Sequence, residues 1–405
     1  MSWPLVALSK ALATAPIFVD GDWVESKDQD PDGDVRLIQL ADVGDGYYVD
    51  KSNRFLTSSA ARRLKCTFIE PGDVLIARMP DPLGRACIFP GDSKRAVTVV
   101  DVCVIRVDPS RMLGRWLMHC INSPTCRQQI DEYTTGTTRQ RISRGNLGKI
   151  HIPLPPLPEQ RRIAAILDQA DTLRTQRRAA LAQLDSLTQS LFLDMFGDPV
   201  TNERGWPRAR IDSFVAGFES GKSLVADDED DASSTFRVLK VSAVTSLEYK
   251  PEQSKAVPSD YKPPISHIVR AGDLLFSRAN TTELIGATAF VEQTPDNLLL
   301  PDKLWRFVWH KPPRTTPLYV RHLFRQPKFR HEIGQRASGT SGSMKNISQD
   351  KVLSIEVGHP PLPLQQTFAT RIQAIEALKT QHRAALAAQD ALFASLQQRA
   401  FAGTL

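Results

Sequence analysis

A long internal repeat is the feature that most constrains this 405-residue chain. The fifteen residues from Leu173 to Leu187 match those from Leu378 to Leu392 at ten positions, and both segments have the pattern of amphipathic helices. Shorter motifs recur in the same order about 203 residues apart, which extends the duplication along the chain. A period this long excludes a solenoid, whose repeats are only tens of residues long. The sequence therefore predicts two tandem domains of related structure.

Four shorter motifs carry the repeat outside these helices: a Trp-Pro pair, an apolar segment, a Gly-Asp segment and a Gly-Thr pair. Their positions in the two copies are Trp3-Pro4 and Trp206-Pro207, 36–40 and 237–241, 72–78 and 272–278, and Gly136-Thr137 and Gly339-Thr340. We interpret the Gly-Asp segments as tight turns that lead into buried strands, because glycine tolerates the backbone conformations of such turns. They are expected to serve the fold rather than the function.

Each long helix follows a proline-rich segment, which is 155–158 in the first copy and 360–363 in the second. Both segments read Pro-Pro-Leu-Pro. Proline fixes its own φ angle and disfavours helix in the residue before it. We therefore expect each segment to hold the chain extended until its helix begins.

The apolar residues of both helices recur at alternating spacings of three and four, which is the heptad pattern of a coiled coil. A polar break interrupts the pattern at Arg177 and, in the matching register, at His382. We expect the two helices to pair antiparallel and to relate the two halves by a pseudo-two-fold axis. The alternative is that each helix packs as ordinary core on its own domain. The other residues of the predicted seams are Ile163, Ile166, Ala170, Leu173, Ala180, Leu184, Leu187 and Leu191, and Phe368, Arg371, Ile375, Leu378, Ala385, Gln389, Leu392 and Leu396.

The rest of each copy contains short β-branched runs, separated by Gly and Pro, and one helical stretch near its end, at 113–132 and 317–335. This pattern predicts an α+β fold with two tandem, mainly-β domains, each followed by a long helix. The predicted domains are 1–152 and 201–357. The proline segments with their helices are predicted at 153–200 and 358–405.

Composition favours a soluble, cytoplasmic protein, because 41% of the residues are hydrophobic, 24% are charged and no export signal or membrane span is evident. The five cysteines lack the spacing of a zinc site, which favours buried free thiols over a metal site. Positive charge is concentrated between 51 and 158, where seventeen Lys and Arg stand against eight Asp and Glu. This excess fits a polyanion-binding face and fits equally a merely solubilising surface.

One loop of the first copy is dense in hydrogen-bond donors. Such side chains suit phosphates and the base edges of the major groove. The matching stretch, 338–346, carries small hydroxyl residues and one lysine instead, as expected if two related domains read two different sequences. The alternative is that the first loop only closes its domain against the proline segment. The donor-rich residues are Thr137, Thr138, Arg139, Gln140, Arg141 and Arg144.

The chain shows no pattern of catalytic residues. Residues 216–223 fit a relaxed phosphate-binding loop with Ala216 in the first glycine position, but the acidic run 227–231 follows and would repel a nucleotide. The sequence lacks a dinucleotide-binding glycine motif, a base-methylation motif, a nucleophile elbow and zinc-ligand spacing. We expect no catalysis, no bound metal and no cofactor.

These features together resemble the specificity subunit of a type I restriction-modification system. The resemblance rests on the segment 152–163, on Phe196-Gly-Asp-Pro199 followed by Trp206-Pro207, on the paired Gly-Asp strands and on the second proline segment. It covers essentially the whole chain. The second copy departs from the pattern at Leu364, which stands where the first copy has Glu159.

The resemblance implies a bacterial host-defence protein that binds double-stranded DNA without catalysis of its own. Two target-recognition domains would each bind half of a bipartite site, with the helices as spacers. The chain would scaffold two DNA methyltransferase (modification) subunits together with restriction and translocase subunits. Besides the loop residues above, the predicted DNA contacts are Arg78, Lys94, Arg95, Arg278, Asn280, Thr281, Lys303, Ser341, Ser343, Lys345 and Asn346.

Two other classes of protein stay open at this stage. An enzyme that used 216–223 as a nucleotide loop would bind ATP by itself. A coiled-coil adaptor for proteins alone would have no salt-dependent affinity for DNA. The recognised bases do not follow from the sequence, because readout depends on side-chain geometry and on DNA shape.

Overall fold

The structure is a computed structural model whose described residues form two compact units. The first unit comprises Met1–Ala179 and Arg383–Leu405, and the second comprises Ala180–His382. Each unit therefore contains one globular segment and parts of both long helices. The described residues are 3–137, 139–223, 235–258, 260–341 and 344–405, with the backbone alone described at 340, 341 and 344.

The first unit consists of short strands and short helices, followed by part of a long helix. Its strands are β1 (Leu5–Ala7), β2 (Ile17–Asp20), β3 (Val35–Ile38), β4 (Phe55–Leu56), β5 (Val74–Ala77), β6 (Ala86–Ile88), β7 (Arg95–Thr98), β8 (Val102–Arg106) and β9 (His151–Pro153). Its helices are α1 (Leu8–Ala11), α2 (Ser58–Arg63), α3 (Gly114–Ile121), α4 (Pro124–Glu132), α5 (Arg144–Leu147) and the first part of α6 (Leu157–Phe196), with 3-10 turns at Ser26–Asp28 and Leu40–Asp42.

The second unit repeats this order and adds a short hairpin. Its strands are β10 (Arg208–Arg210), β11 (Val215–Ser220), β12 (Arg237–Leu239), β13 (Ser254–Ala256), β14 (Leu274–Ser277), β15 (Ala279–Asn280), β16 (Thr288–Phe290), β17 (Leu298–Leu299), β18 (Leu304–Trp309), β19 (Ser338–Ser341), β20 (Met344–Asn346) and β21 (Glu356–Gly358). Its helices are the last part of α6, α7 (Ser242–Thr245), α8 (Pro317–Leu323), α9 (Pro327–Arg336), α10 (Gln349–Leu353) and the first half of α11 (Leu362–Ala402), with 3-10 turns at Ile211–Ser213 and Ile265–His267.

The two units contain the same pair of sheets. A four-stranded sheet has the order β2-β8-β5-β6 in the first unit and β11-β18-β14-β16 in the second. A three-stranded sheet pairs β3 with β7 in parallel and with β4 antiparallel, and β12 pairs with β17 and β13 in the same way. The first and last strands of each globular segment also pair, β1 with β9 and β10 with β21. The predicted tandem α+β domains are confirmed.

The Gly-Asp segments are turns that lead into buried strands, as predicted. Gly72 and Gly272 have φ angles of +98° and +94°, in the left-handed region that favours glycine. Strands β5 and β14 begin two residues later, and all four residues of each are buried. The carboxylates of Asp73 and Asp273 each bind an arginine of the adjacent strand, β8 or β18. These segments therefore stabilise the central sheets.

The helical stretch predicted near the end of each domain is two helices rather than one. The breaks fall at Ser123-Pro124, between α3 and α4, and at Gln326-Pro327, between α8 and α9. Proline has no N–H to continue a helix but fits its first position, so each break starts a new helix. The hydroxyl of Ser123 caps α4 by accepting a hydrogen bond from the backbone N–H of Cys126.

The segments of α6 and α11 run antiparallel within each unit, which confirms the predicted pairing. In the first unit, Arg162 donates to the carbonyl of Leu405 at 2.8 Å, and further along α6 Arg174 pairs with Asp390 at 2.6 Å. The residue numbers of the partners thus decrease as those of α6 increase, which is the order of an antiparallel pair. The second unit shows the same order, with contacts between Asp185 and Lys379 and between Met195 and Arg371.

The predicted seam is wrong at four leucines. Leu173, Leu187, Leu378 and Leu392 are 47%, 49%, 46% and 56% exposed. Next to Leu173 and Leu378, the side chain that turns toward the facing helix is that of the following residue, Arg174 or Lys379. These two charges tolerate partial burial because each bonds a carboxylate of the facing helix, and the Arg174 guanidinium also lies 4.2 Å from the centre of the Phe393 ring.

The ends of both long helices complete the cores of the units. Ile163 and Ala400 belong to the core of the first unit, and Phe192 and Phe368 belong to that of the second. The alternative of core packing is therefore realised at the helix ends, alongside helix pairing. Within the described residues, no helix is both long and apolar enough to cross a membrane.

Candidate nucleic-acid interface

The donor-rich stretch of the first unit forms a closed loop, 135–141, which we call the first loop. The backbones of Thr135 and Arg141 exchange two hydrogen bonds of 3.0 and 2.9 Å across its base. Gly136 begins the loop with φ +94°, and a Cβ atom there would lie 2.5 Å from the carbonyl oxygen of Arg139. Glycine is therefore required for the chain to turn this tightly.

The tip of the first loop carries exposed polar side chains. Thr137, Arg139 and Gln140 are all exposed. Within the described residues, the side chains of Arg139 and Gln140 make no hydrogen bond or ion pair. Thr138, also predicted to contact DNA, lies outside the described residues. The tip thus presents a guanidinium and an amide, the groups that bind guanine and adenine edges in pairs of hydrogen bonds.

Two further arginines flank the tip and are partly used by the fold. Arg141 pairs with Asp101 at 3.1 Å, and its side chain is 40% exposed. Arg144 donates to the carbonyl of Phe18 at 3.0 Å and begins helix α5, which Ser143 caps. Their charges lie beside the loop, but carboxylate or carbonyl groups of the domain already hold them.

Arg78 fixes the base of the first loop from inside the domain. Its Nε donates to the carbonyl of Ile142 at 2.9 Å, and its own carbonyl accepts from the Ile142 N–H at 3.1 Å. One Nη donates to the carboxylate of Asp20 and to the carbonyl of Val100. The side chain is only 6% exposed. The structure therefore places Arg78 behind the loop, with its Nε and one Nη engaged by groups of the domain.

The second loop, 338–346, occupies the corresponding place in the second unit but is supported by a sheet. Strands β19 and β20 form a hairpin, and β15 pairs with β20, with Asn280 opposite Lys345. Lys345 donates to the carbonyl of Gly339 at 3.0 Å, and Asn346 pairs through its backbone with β15 and β19. Ser343 lies outside the described residues, and only the backbone of Ser341 is described.

Arg278 is the counterpart of Arg78. Its carbonyl accepts from the N–H of Ile347 at 3.1 Å, as that of Arg78 does from Ile142. Its Nε donates to the carbonyl of Asp302 at 2.7 Å, but its nearest carboxylate contact is 3.7 Å and its side chain is 30% exposed. The backbone anchor is thus repeated, whereas the buried ion pair is not.

The remaining predicted residues are spread more widely. Lys94 and Arg95 are exposed at the start of β7, over the rings of Phe55 and Phe68, at the opposite end of that strand from Asp101. The structure does not bring them to the first loop. Thr281 and Lys303 are half-buried near the second loop, and the carbonyl of Lys303 accepts from the Arg278 N–H at 3.1 Å.

Sequence reasoning missed the acids that hold the first loop. Asp20 binds Arg78 and lies 4.0 Å from Arg144, and Asp101 binds Arg141. These partners are about 40 to 120 residues apart in the chain, so no local pattern connects them. These acid–arginine contacts can therefore be identified only from the three-dimensional structure.

A buried glutamine after each proline segment was also missed, although the repeat contains it. Gln160 and Gln365 are fully buried. The side-chain oxygen of Gln160 accepts from the backbone N–H of Leu113, where α3 begins, and that of Gln365 accepts from Thr316, where α8 begins. The departure at Leu364 therefore leaves this internal function of the segment intact.

The structure gives residues 216–223 a different role from a nucleotide loop. Residues 217–220 pair in register with strand β18, and residue 216 lies in the same strand at a bulge. An extended, paired strand cannot wrap its N–H groups around a phosphate. All five cysteines are free thiols and four of them are buried, while the described residues contain no cluster suited to a metal.

Comparison with known proteins points to one family. The family model for the type I restriction modification DNA specificity domain matches residues 17–183. The specificity subunit of type I restriction enzyme EcoEI from Escherichia coli is 28% identical over 170 residues, which cover 42% of this chain and 28% of that protein. The EcoKI specificity subunit from E. coli strain K12 is 25% identical over 305 residues, covering 72% and 65%. The chain thus spans less than two thirds of either relative.

The fold agrees with that of a solved specificity subunit. The S subunit of a type I restriction-modification system from M. genitalium superposes with a TM-score of 0.57 at 13% identity, covering 99% of this chain and 96% of that one. At this identity the likeness concerns the fold alone. The named relatives are specificity subunits, and this comparison supports the prediction that the chain is not an enzyme. Residues 17–183 thus match a type I restriction modification DNA specificity domain, and the chain is similar to the specificity subunits of type I restriction enzymes.

Proposed function

We propose that the chain reads a bipartite DNA sequence as the non-catalytic specificity subunit of a type I restriction-modification complex. Each of the predicted domains, 1–152 and 201–357, would bind one half-site. The observation that carries this proposal is the repeated backbone anchor, Arg78 with Ile142 and Arg278 with Ile347, which holds two loops with different side chains. Two related domains that bind different DNA sequences are expected to share the support of this loop and to differ in its exposed side chains.

Within the first loop, the exposed Arg139 and Gln140 are the proposed base-reading residues. Arginine binds the paired acceptors of guanine, and glutamine matches the donor and acceptor of adenine. Arg141 and Arg144 are proposed to meet phosphates, since their remaining exposure lies beside the tip. Arg78 acts as a positioning residue. In the second loop, Lys345 and Asn346 are the described residues closest to these roles.

The proposed partners are two DNA methyltransferase subunits together with restriction and translocase subunits, as in type I systems. The exposed leucines of the long helices support the count of two. Leu173 and Leu187 of the first copy correspond in the repeat to Leu378 and Leu392 of the second, so each copy leaves the same pair of apolar side chains open. Equivalent exposed sites suit two copies of one partner. A cytoplasmic location belongs to the same proposal.

The host methylation pattern tests this function directly. Methylated positions would be mapped genome-wide in the host with and without this gene. We expect one bipartite adenine-methylation motif to disappear with the gene and to return with a plasmid copy. The purified chain alone should neither methylate nor cut DNA. An unchanged set of motifs in a host that expresses the methylation subunits, or methyl transfer by the chain alone, would contradict the proposal.

A further inference from the structure

A cleft of about 580 Å³ lies in the second unit between α8, the first half of α11 and the end of β16. Apolar side chains, among them Phe290, Leu318 and Ile372, form much of its wall. One arginine and two glutamates also line it. An apolar cleft with a few convergent polar groups is typical of sites that bind small molecules.

The arginine of this cleft, Arg321, has no acceptor for its hydrogen-bond donors. The residue is only 8% exposed, and its Nε is buried without a partner. Within the described residues, its guanidinium makes no hydrogen bond and no ion pair. A buried guanidinium remains charged, and its unpaired donors cost free energy. Arg321 therefore favours an acceptor that a ligand would bring.

The two glutamates of the cleft lie near Arg321 without bonding to it. Burial lowers the pKa of Arg321, whereas the charges of Glu376 and Glu292 raise it. Glu376 already accepts a hydrogen bond from the Nζ of Lys379 at 3.0 Å, and Glu292 is exposed to solvent. The ion pair and solvent screening thus weaken the repulsion of an anionic ligand by these two acids.

The first unit has a carboxylate of its own at the corresponding place. The carboxylate of Asp168 on α6 lies 2.7 Å from Nε2 of His119 and 3.6 Å from the guanidinium of Arg115. In the second copy, the residue that corresponds to Asp168 is Gln373, which lines the cleft. The Nε2 atom of His322, the counterpart of His119, is buried without a partner. The second unit therefore has an amide where the first has an acceptor with a full negative charge.

The opposite exchange occurs on α8. Leu113 and Thr316, whose backbone N–H groups bond the two buried glutamines, align α3 with α8. In this alignment Arg321 corresponds to Met118, which is fully buried in the core of the first unit. From the first copy to the second, an internal acid has become neutral and an apolar core residue has become a cation. Both changes favour a negative charge in the cleft.

We propose that this cleft binds a small organic carboxylate with an apolar body. The carboxylate of the ligand would bind the Arg321 guanidinium, which suits the paired hydrogen bonds that arginine makes with carboxylates. The apolar body would pack on Phe290, Leu318 and Ile372. The cleft reaches the start of β14, whereas Arg278, the anchor of the second loop, follows the end of that strand. The site is therefore separate from the loops that are proposed to read DNA.

Binding of two carboxylates to the purified full chain tests the site. Hexanoate and phenylpropionate would each be compared with its own amide, which has the same apolar body and no charge, by isothermal titration calorimetry. We expect each carboxylate to bind about tenfold more tightly than its amide, because hydrogen bonds between charged groups are the stronger ones. Equal affinities, or no saturable binding of either carboxylate, would overturn the proposal.

Two substitutions that copy the first unit should each remove the site. Arg321→Met removes the cation, and Gln373→Asp supplies a carboxylate that competes with the ligand. Each should lower the affinity for both carboxylates by about tenfold and leave the affinity for the amides nearly unchanged. Arg314→Met is the matched control, because Arg314 is an exposed arginine of the same unit that does not line the cleft. It should bind the carboxylates like the wild type.

Thermal unfolding separates a ligand site from a purely structural role of Arg321. Without ligand, Arg321→Met should melt no lower than the wild type, because it removes an unpaired buried charge. Hexanoate should raise the melting temperature of the wild type and not that of the variant. A variant that melts lower and still binds both carboxylates would overturn the proposal. If Arg321→Met does not fold, Gln373→Asp decides the question, since Gln373 is exposed on α11.

A final titration distinguishes a free ligand from a carboxylate of a partner protein. The calorimetry would be repeated with the chain reconstituted with its methylation subunits. Retained affinity for phenylpropionate would support the assignment to a free small molecule. Loss of binding in the complex would assign the cleft to an acidic side chain of the partner and overturn the proposal. Neither result bears on the reading of DNA, which the methylation motif tests separately.

Discussion

The first and second loops occupy the same place in their units but are held by different interactions. The second loop belongs to the sheet β15-β20-β19, where backbone hydrogen bonds define its shape. The first loop has one backbone pair, between Thr135 and Arg141, and depends on the buried side chain of Arg78. The comparison shows that one fold can support a variable loop either by backbone pairing or by a side chain. The first loop should consequently be the more sensitive to single substitutions.

The largest expected effect comes from removing the donors of the first loop. The variant Arg139→Ala/Gln140→Ala/Arg141→Ala should weaken binding at one half-site only, by about 1 to 3 kcal/mol for each paired base contact that is lost. Affinity for duplexes with altered half-sites, and the methylation motif of the complex, would be measured. The other half-site should be read as before.

Two other results would redefine the first loop. If affinity falls evenly over all sequences and the salt dependence becomes shallower, Arg139, like Arg141, meets phosphates rather than bases. Normal affinity with an unchanged motif in a stable variant would mean that the loop only closes its domain. A matched substitution in the second loop, Lys345→Ala, should affect the opposite half-site.

The next effect concerns the two anchoring arginines. Arg78→Met should destabilise the protein by about 2 to 4 kcal/mol, because it leaves the Ile142 and Val100 carbonyls and the Asp20 carboxylate without their donor. Arg278→Met should cost only about 1 kcal/mol, since that side chain makes one hydrogen bond and is partly exposed. Urea unfolding of the full chain measures both.

Discrimination between DNA half-sites distinguishes a positioning role of these two arginines from an effect on stability alone. At a temperature where both variants are folded, Arg78→Met should relax the first half-site and Arg278→Met should at most weaken the second. Arg78→Lys, which keeps the charge and one donor, should recover part of the discrimination. Equal losses at both half-sites in Arg78→Met would contradict a local positioning role.

A smaller difference between the units is expected on acidification. Immediately before the second proline segment stands His359, where the first copy has Leu154. Burial lowers the pKa of His359 from 6.5 to about 4, and its ring lies 4.2 Å from that of Phe214 in a stacked arrangement. The unfolded chain therefore binds this proton first, so stability should fall as the pH decreases from about 6.5 to 4. Burial also lowers the pKa of His322, which acts in the same direction.

The variant His359→Leu copies the first unit and isolates this contribution. Thermal unfolding between pH 7 and 4 should show a shallower loss of stability than in the wild type, by up to about 3 kcal/mol at the acidic end. His322 should leave a residual slope. A wild-type slope in His359→Leu would show that the ring is not held neutral by the fold.

Sequence patterns predicted the parts of this molecule that local chemistry determines. The Gly-Asp turns, the proline segments and the antiparallel helices were predicted because repeats and heptads are visible along the chain. The heptad register failed at Leu173 and Leu378 because Arg174 and Lys379 bury their stems and bond carboxylates of the facing helix. Hydrophobicity alone would place those charges outside.

The candidate site was less accessible to sequence reasoning than the fold. The polar tip of the first loop could be identified from its composition. Its support could not, because Arg78 meets Asp20 and Ile142 only after 58 and 64 residues of chain have folded between them. From the sequence, Arg78, Arg139 and Lys94 were all predicted to contact DNA. The structure places Arg78 behind the loop, Arg139 at its tip and Lys94 at the far end of β7.

The smallest expected effect tests whether the tight closure of the first loop matters for reading. Gly136→Ala introduces a side chain at φ +94° and places its Cβ 2.5 Å from the Arg139 carbonyl oxygen, so the tip must shift. We expect a local cost of about 1 to 2 kcal/mol, little change in global unfolding and a severalfold loss of affinity at the first half-site. Gly145→Ala is the matched control, because its nearest neighbour is the Ser143 hydroxyl at 3.9 Å. If both variants bind the first half-site like the wild type, the tip reads DNA without a fixed closure, and the contrast between the two loops would concern stability alone.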